Sequence, residues 1–526
     1  MLKADPRDKV KLIDPLFAPP GSRYWLAVLA LLAVIGWGAF MYLRQLFLGL
    51  GETGMNRPTY WGVYMVNFIF FIGISHAGTL ISAILRVTGA EWRRPITRVA
   101  EAITAFALIV GTLQIIVDMG RPDRLHFAIL YGRLQSPILW DVVSVTTYFL
   151  GSVTYLYLPL IPDLAILRDN LPENIPAWRR TLYTVLALGW RGNRTQWVRL
   201  EKAIAVMAVF IIPVAVSVHT IISWILATTV QPGWHSAIFG PYFVVGAIFS
   251  GIGALFLAMS AIRRVMGLEA YITGRQYRNL GLLFIAMNVI WFYFTYAEHL
   301  TIAAGQQTEE FAVLASKLWG EFSPGFWAMV LLMVVAFWVL VVPQALPINA
   351  GRVWILRPRS ALVAAGAAAV ILVTLVFPTP TPVSAALVGA NAPLLAWSLL
   401  VVCLAAAGLG VSPWLKARPV AASVIAAACV VVGMWVERWD IIVPTLTHPR
   451  IIPYDLYNPT LTEISLTAAS LALFGLMFLI FFRLFPAVSI WEVAEGRVIE
   501  EAQSRVVIPA PEPTEIKRLR RWGIRK

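Results

Sequence analysis

The chain has 526 residues, of which 59% are hydrophobic and only 13% charged, with a formal net charge of +14 and a mean hydropathy of +0.74. That balance excludes a soluble globular enzyme and points to an integral membrane protein. The positive charge gives nucleic acid no support as a partner, because the lysines and arginines fall in alternate connections between apolar runs, where membrane topology explains them.

Residues 1–23 are charged and proline-rich, with no short apolar core ahead of a small-residue cleavage site. No removable signal peptide is expected, and the first span acts as its own insertion signal. Apolar runs of the roughly 20 residues a helix needs to cross a hydrocarbon core follow at 24–46, 60–85, 97–117, 138–158, 203–228 and 237–262. Runs at 280–302, 325–346, 361–376, 393–409, 420–436 and 464–485 complete about twelve spans. The ninth and tenth are rich in alanine, glycine and valine, so a ten-span version stays open. Basic residues concentrate before the first span, at 93–98, 168–202, 263–278, 352–359 and 416–418, and in the tail 486–526. With both termini cytoplasmic, all of these fall on one side; Arg121, Arg124, Arg133 and Arg450 are exceptions. The expectation is an all-α, multi-pass protein of the cell's inner (cytoplasmic) membrane with a basic cytoplasmic tail.

His76 lies in the middle of the second run, Asp118 closes the third, with Arg121 just after it, and Asp141 opens the fourth. Ionisable groups at membrane depth are costly to insert, so they are candidates for function. Topology puts Asp118, Arg121 and Asp141 at the outer face. His76 is expected about two-thirds of the way inward and His219 in the outer half of the fifth run, a difference in depth of roughly 10–15 Å. A carboxylate near an arginine, with a histidine further in, suits binding a hydroxylated ring and accepting its protons as electrons leave. Plainer readings stand beside this one. Asp118 and Arg121 would form a helix-end salt bridge, Asp141 would cap its helix, and His76 would hydrogen-bond a neighbouring helix.

Glu298 and His299 lie towards the outer end of the seventh run, Glu437 and Arg438 towards that of the eleventh. Adjacent helical residues point about 100° apart, so Glu298 and His299 should not both face one pocket straight on. Glu437, Arg438 and Asp440 suit a structural network, with proton conduction as the functional alternative. Of six histidines, only His76, His219 and His299 lie within runs, one per helix, which argues against stacked haems. Cys403 and Cys429 read as packing residues, so no haem, iron–sulfur cluster or metal is expected on this chain itself. Phosphate-binding loops and nucleophile elbows are missing, so no residue is assigned as catalytic.

Six ordered motifs carry a resemblance: Gly73-Ile74-Ser75-His76-Ala77-Gly78-Thr79-Leu80, Trp92-Arg93-Arg94-Pro95, Asp118-Met119-Gly120-Arg121-Pro122, Ser136-Pro137-Ile138-Leu139-Trp140-Asp141, Tyr296-Ala297-Glu298-His299-Leu300-Thr301 and Gly433-Met434-Trp435-Val436-Glu437-Arg438. Through them the chain resembles the NrfD/PsrC-like membrane subunits of quinone-linked respiratory oxidoreductases, which are related to the membrane subunits of alternative complex III. The resemblance implies two four-helix bundles, the first about 60–228 and the second about 237–346 with 420–440. It also implies a menaquinol or ubiquinol pocket in the first bundle near the outer surface, with an iron–sulfur subunit docked above it. Other membrane subunits, a catalytic molybdopterin-type or cytochrome subunit and membrane lipid complete the implied partners. His76, Asp118, Arg121 and Asp141 match the family's pocket positions, while His219 is added on topology. In the alternative complex III branch a histidine is expected where Asp118 stands, which places this chain nearer the general form. An extra hairpin at about 361–409 departs from the family's pattern. Two further readings are a secondary transporter, with substrate held at mid-depth between inverted repeats, and a haem-bearing cytochrome b-like anchor.

Overall fold

The computed structural model describes residues 5–56, 58–229, 231–345, 362–368, 392–449 and 455–505. Among the described residues there is no strand, and ten helices are long and apolar enough to cross a membrane. In chain order the helices are α1 (Ser22–Leu48), α2 (Val63–Val87), α3 (Thr97–Asp118), α4 (Pro137–Asp169), the short α5 (Ala177–Leu186), α6 (Arg194–Ala227) and α7 (Phe239–Val265). They continue with α8 (Gly274–Gly305), the short α9 (Thr308–Leu318), α10 (Ser323–Ala345), α11 (Ala392–Ala417), α12 (Pro419–Thr447), α13 (Leu461–Leu484) and α14 (Ile490–Arg505). The ten spanning helices coincide with predicted runs one to eight, eleven and twelve. The tenth run falls within α11; most of the ninth, and the tail beyond 505, lie outside the described residues.

The two longest described helices both exceed their apolar runs. α4 has 33 residues and α6 has 34. α4 continues through Pro159 and Pro162, where a helix ordinarily stops. The Pro159 carbonyl accepts from Arg98 Nη2 (3.1 Å) and Trp491 Nε1 (2.9 Å), which ties this stretch of α4 to α3 and α14.

α2, α3, α4 and α6 pack as one four-helix ring, and α7, α8, α10 and α12 as a second. The seam between the rings is chiefly α2 against α7. α1 and α13 form a peripheral pair that leans on α2 and α3. Their approach depends on Gly38, where a Cβ would stand 2.3 Å from the Ala469 Cβ.

Both described chain ends lie at one face of the molecule, called here the termini face. Arg497 pairs with Asp5 (3.4 Å) and Asp8, and the Tyr271 hydroxyl donates to Asp8 (2.7 Å). α14 then closes the first ring from that face. The backbone N–H groups of Ile490 and Trp491 donate to the buried Asp163 carboxylate (both 3.1 Å), which also pairs with Arg98 (2.9 Å). Glu492 is buried against Arg86 and Arg93.

Candidate functional site

His76 and His219 meet at the centre of the first ring. His76 Nδ1 lies 2.7 Å from the Ile72 carbonyl, which only accepts, so Nδ1 carries the proton. His76 Nε2 faces both the Ala215 carbonyl and, at 3.1 Å, His219 Nδ1; the ring centroids are 4.0 Å apart. When neutral, His76 Nε2 accepts from the His219 Nδ1–H; when it takes a proton, it donates to Ala215 instead. The pair is built so that either protonation state of His76 finds a partner. His219 Nε2 is buried with no hydrogen-bond partner.

This contact corrects the expected 10–15 Å difference in depth. A 34-residue helix is about 51 Å long against a hydrocarbon core of roughly 30 Å, so α6 has to tilt or overshoot, and residues at different nominal depths become level. The plainer expectation for His76, a bond to a neighbouring helix, is also met through Ala215.

Asp141 stands in the second turn of α4, whose N-cap is Ser136, so it does not cap the helix. It lies on the same helical face as Ser144 and Tyr148, with Tyr148 two turns, or about 10 Å, further in. The Tyr148 ring packs 4.9 Å from the His76 ring, and its hydroxyl donates to the Ser75 carbonyl (3.0 Å). Asp141 Oδ1 is buried without a partner. The same face continues to Tyr155, beside Ser82, which donates to the fully buried Glu101 (2.9 Å).

Asp118 ends α3 and also has a buried, unpartnered Oδ1. It lies in electrostatic range of Tyr64 and Glu463. The Tyr64 hydroxyl donates to Gln45 (2.7 Å), and Gln45 donates to the Val117 carbonyl (2.8 Å). Glu463 accepts from the backbone N–H groups of Gly54 and Thr460, both at 2.8 Å, and from the Tyr457 hydroxyl. Arg121 is not part of this arrangement. Its guanidinium is exposed and grips Asp123 through Nε (3.0 Å) and Nη2 (2.9 Å), in the loop beyond α3. That bond raises Arg121 above, and lowers Asp123 below, their ordinary pKa values. The carboxylate–arginine pair expected at the pocket mouth is therefore absent, because Asp123 two residues on offers a bidentate partner in the same turn.

The second ring holds a different kind of site. Glu298, His299, Lys317, Glu437 and Asp440 line one cavity of about 40 Å³, enough for about three waters at roughly 10–15 Å³ each. Glu298 and His299 both reach it, from adjacent sides of α8. Glu298 accepts from Ser236 (2.6 Å), and the His299 ring packs 5.1 Å from Phe326. Glu437 pairs with Arg438 at 2.7 Å, each 1% exposed, and accepts from Trp291 Nε1 (2.8 Å). Asp440, expected to join that network, makes no hydrogen bond with either oxygen. Burial pushes the Lys317 ammonium below the ordinary lysine range, against the pull of Asp440, Glu298 and Glu437. At the seam, the Phe243 ring lies between the two sites, 6.4 Å from the His219 ring and 5.2 Å from the Arg438 guanidinium. Gly246 makes room for Arg438, since a Cβ there would sit 2.7 Å from Nη2.

A haem does not fit the histidine pair. An iron between two axial nitrogens separates them by roughly 4 Å, two metal–nitrogen bonds of about 2 Å, whereas these lie 3.1 Å apart with the rings in contact. Gln45, Tyr64, Glu101, Tyr148, Lys317 and Glu463 join these arrangements without having been expected from the sequence. For Glu101 a signal existed: an acid inside an apolar run.

The family model described as polysulphide reductase, NrfD, matches residues 51–379. The chain belongs to the NrfD family. The match takes in His76, His219, Asp118, Asp141 and Lys317, while Glu437, Arg438, Asp440 and Glu463 lie beyond it. Among its relatives, this NrfD protein is 32% identical over 306 residues, 57% of its length, to a putative membrane subunit of dimethyl sulfoxide reductase from Halobacterium salinarum. It is 24% identical over 250 residues, 45% of its length, to a selenate reductase subunit of Mesobacillus selenatarsenatis. The chain spans 65% and 56% of those two relatives, less than two thirds of either. It is also 24% identical over 327 residues to the Hdr-like menaquinol oxidoreductase integral membrane subunit of Archaeoglobus fulgidus, covering 61% of this chain and 68% of that one. The fold and the family together make it a polytopic membrane protein.

Proposed function

We propose that this NrfD-family chain is the quinol-binding membrane subunit of a respiratory oxidoreductase, exchanging electrons between menaquinol or ubiquinol and an iron–sulfur subunit on the extracytoplasmic side. One observation carries the reading. Asp141, with a buried carboxylate oxygen that no protein group satisfies, shares a helix face with Tyr148, which packs on a histidine pair able to take a proton. An unpaired buried carboxylate is costly, and a hydroxyl donor offsets that cost. Asp118 offers a second such oxygen at the same end of the ring. The relative described as a menaquinol oxidoreductase subunit supports the same substrate class.

Oxidation of a quinol to a quinone releases two electrons and two protons. Asp141 accepts a hydrogen bond from one hydroxyl and then its proton, and Asp118 does the same for the other. His76 takes a proton at Nε2 and exchanges its acceptor from His219 to Ala215. Electrons leave for the iron–sulfur partner on the distal face, which is the extracytoplasmic one with both termini cytoplasmic. Quinone reduction runs through the same groups in reverse. Asp141→Asn keeps the shape and removes the proton acceptor. Quinol oxidation by the assembled complex should fall roughly 10²-fold, and undiminished turnover would remove Asp141 from the site.

Proton conduction through the second ring is a second reading, favoured by the cavity shared by Glu298, Lys317 and Asp440. In Glu298→Gln, proton release per quinol should fall while uncoupled turnover persists; unchanged release ends that reading. A secondary transporter is less favoured. Among the described residues each spanning segment is one continuous helix, without the paired broken helices that hold a substrate at mid-depth.

A further inference from the structure

Between the peripheral α13 and the α2–α7–α12 seam runs a groove of about 950 Å³ that neither ring uses. Its walls are apolar over most of their length, with Phe70, Leu257, Val431, Phe474 and Phe478 among them. Phe474, Phe478 and Phe482, one turn apart on α13, form an aromatic ladder with centroids 5.1 and 5.6 Å apart. From Thr467 to Arg483 the groove follows α13 for about 24 Å, most of the roughly 30 Å of a hydrocarbon core. Polar groups occur at its ends. At the distal end Asn67 is satisfied, donating to Thr467 (2.8 Å) and accepting from Trp435 Nε1 (2.9 Å).

The end at the termini face is not balanced in this way. Arg483 lines the groove and donates to the backbone carbonyls of Pro15 (2.9 Å) and Ala18. Arg179 stands beside it, donating to the carbonyls of Arg483 (3.0 Å) and Leu16 (2.9 Å) and to the Tyr183 hydroxyl (2.9 Å). Among the described residues neither guanidinium has a carboxylate within ion-pair distance, although nearby Arg86, Arg93, Arg94 and Arg98 all do. Arg483 at the mouth of an apolar channel of bilayer depth, with the buried Arg179 behind it, brings positive charge without an anion. That anion has to come with a long apolar body.

We infer that this groove binds an anionic glycerophospholipid of the termini-side leaflet, its phosphate against Arg483 and Arg179 and its acyl chains along the Phe474–Phe478–Phe482 ladder. A leaflet contributes roughly 15 Å of hydrocarbon, so the chains occupy the half of the groove nearest Arg483. The lipid then acts as packing between the α1–α13 pair and the second ring, where no side chain among the described residues fills the space.

The test is native mass spectrometry of the delipidated full chain in detergent, titrated with phosphatidylglycerol, phosphatidylcholine or inorganic phosphate. Phosphatidylglycerol should bind about tenfold more tightly than phosphatidylcholine, whose phosphate carries its own choline cation and so brings the guanidinium groups no net negative charge, and inorganic phosphate should not displace it. Arg483→Gln should lose that tenfold preference. Because Arg483 also holds the Pro15 and Ala18 carbonyls, Ala258→Phe provides a second variant, narrowing the groove with both arginines intact; it should weaken phosphatidylglycerol binding about as much. Equal affinity for the two lipids, displacement by inorganic phosphate, unchanged binding in Ala258→Phe, or a quinone tail or another polypeptide co-purifying in the groove would each overturn the proposal.

Discussion

The two rings bury titratable groups in opposite ways. In the first, His76 and His219 are buried without a counter-ion in contact, and Asp118 and Asp141 each keep an oxygen that no protein group satisfies. In the second, Glu437 is paired with Arg438, and Asp440, whose oxygens make no hydrogen bond, shares a water-sized cavity with the Lys317 ammonium, as the Arg98–Asp163 pair balances charge at the termini face of the first. Charge balanced within the protein suits stability and the passage of protons, whereas unsatisfied acceptors suit a ligand that brings donors. On the function proposed above, the difference separates the ring assigned to the quinol from the ring that holds its charges in place.

Breaking the balanced ring should have the largest effect. Arg438→Met strands Glu437 in a buried environment and should cost about 3–5 kcal/mol, seen as a large fall in the thermal midpoint of the detergent-solubilised protein. Adding Glu437→Gln should recover much of that loss; no recovery would mean that Arg438 acts chiefly through its contact with Phe243. In the other ring the prediction is reversed. His219→Leu removes a neutral hydrogen bond worth about 1 kcal/mol, so the fold should survive, while quinol turnover should drop roughly 10²-fold. Equal losses of stability in Arg438→Met and His219→Leu would erase the contrast. The smallest effect belongs to Arg121→Gln. Its guanidinium is in solvent on Asp123, so stability should change by less than about 0.5 kcal/mol and turnover hardly at all.

The spans were legible because a run of apolar residues long enough for the bilayer leaves a backbone no alternative to helix. The candidate site was legible only as a set of residues. That His76 and His219 touch depends on the tilt of α6 and on which helices are lateral neighbours, and neither is written in a hydropathy profile. Arg121 misled for a local reason: spacing set it near Asp118, but Asp123 competes from the same turn. Lys317 lies in a short helix between spans, where a lysine reads as an ordinary loop cation. Its burial follows from α9 folding back over the second ring. Glu463 shows the reverse case, a capping-box glutamate readable from Thr460 and the residues after it, whose second role beside Asp118 requires α13 to lie against α2 and α3.

α14 has a consequence for how the molecule is made. The Asp163 carboxylate near the end of α4 receives its backbone donors from Ile490 and Trp491, and the loop it closes is 327 residues long. At a synthesis rate of about 5–20 residues per second, those donors emerge roughly 16 to 65 s after Asp163 has entered the membrane. Through that interval Arg98 is the partner holding the aspartate, and the first ring waits open at its termini face. The last described helix is thus the one that locks the first bundle, and a chain cut short before residue 490 would carry all ten described spans yet lack that fastening.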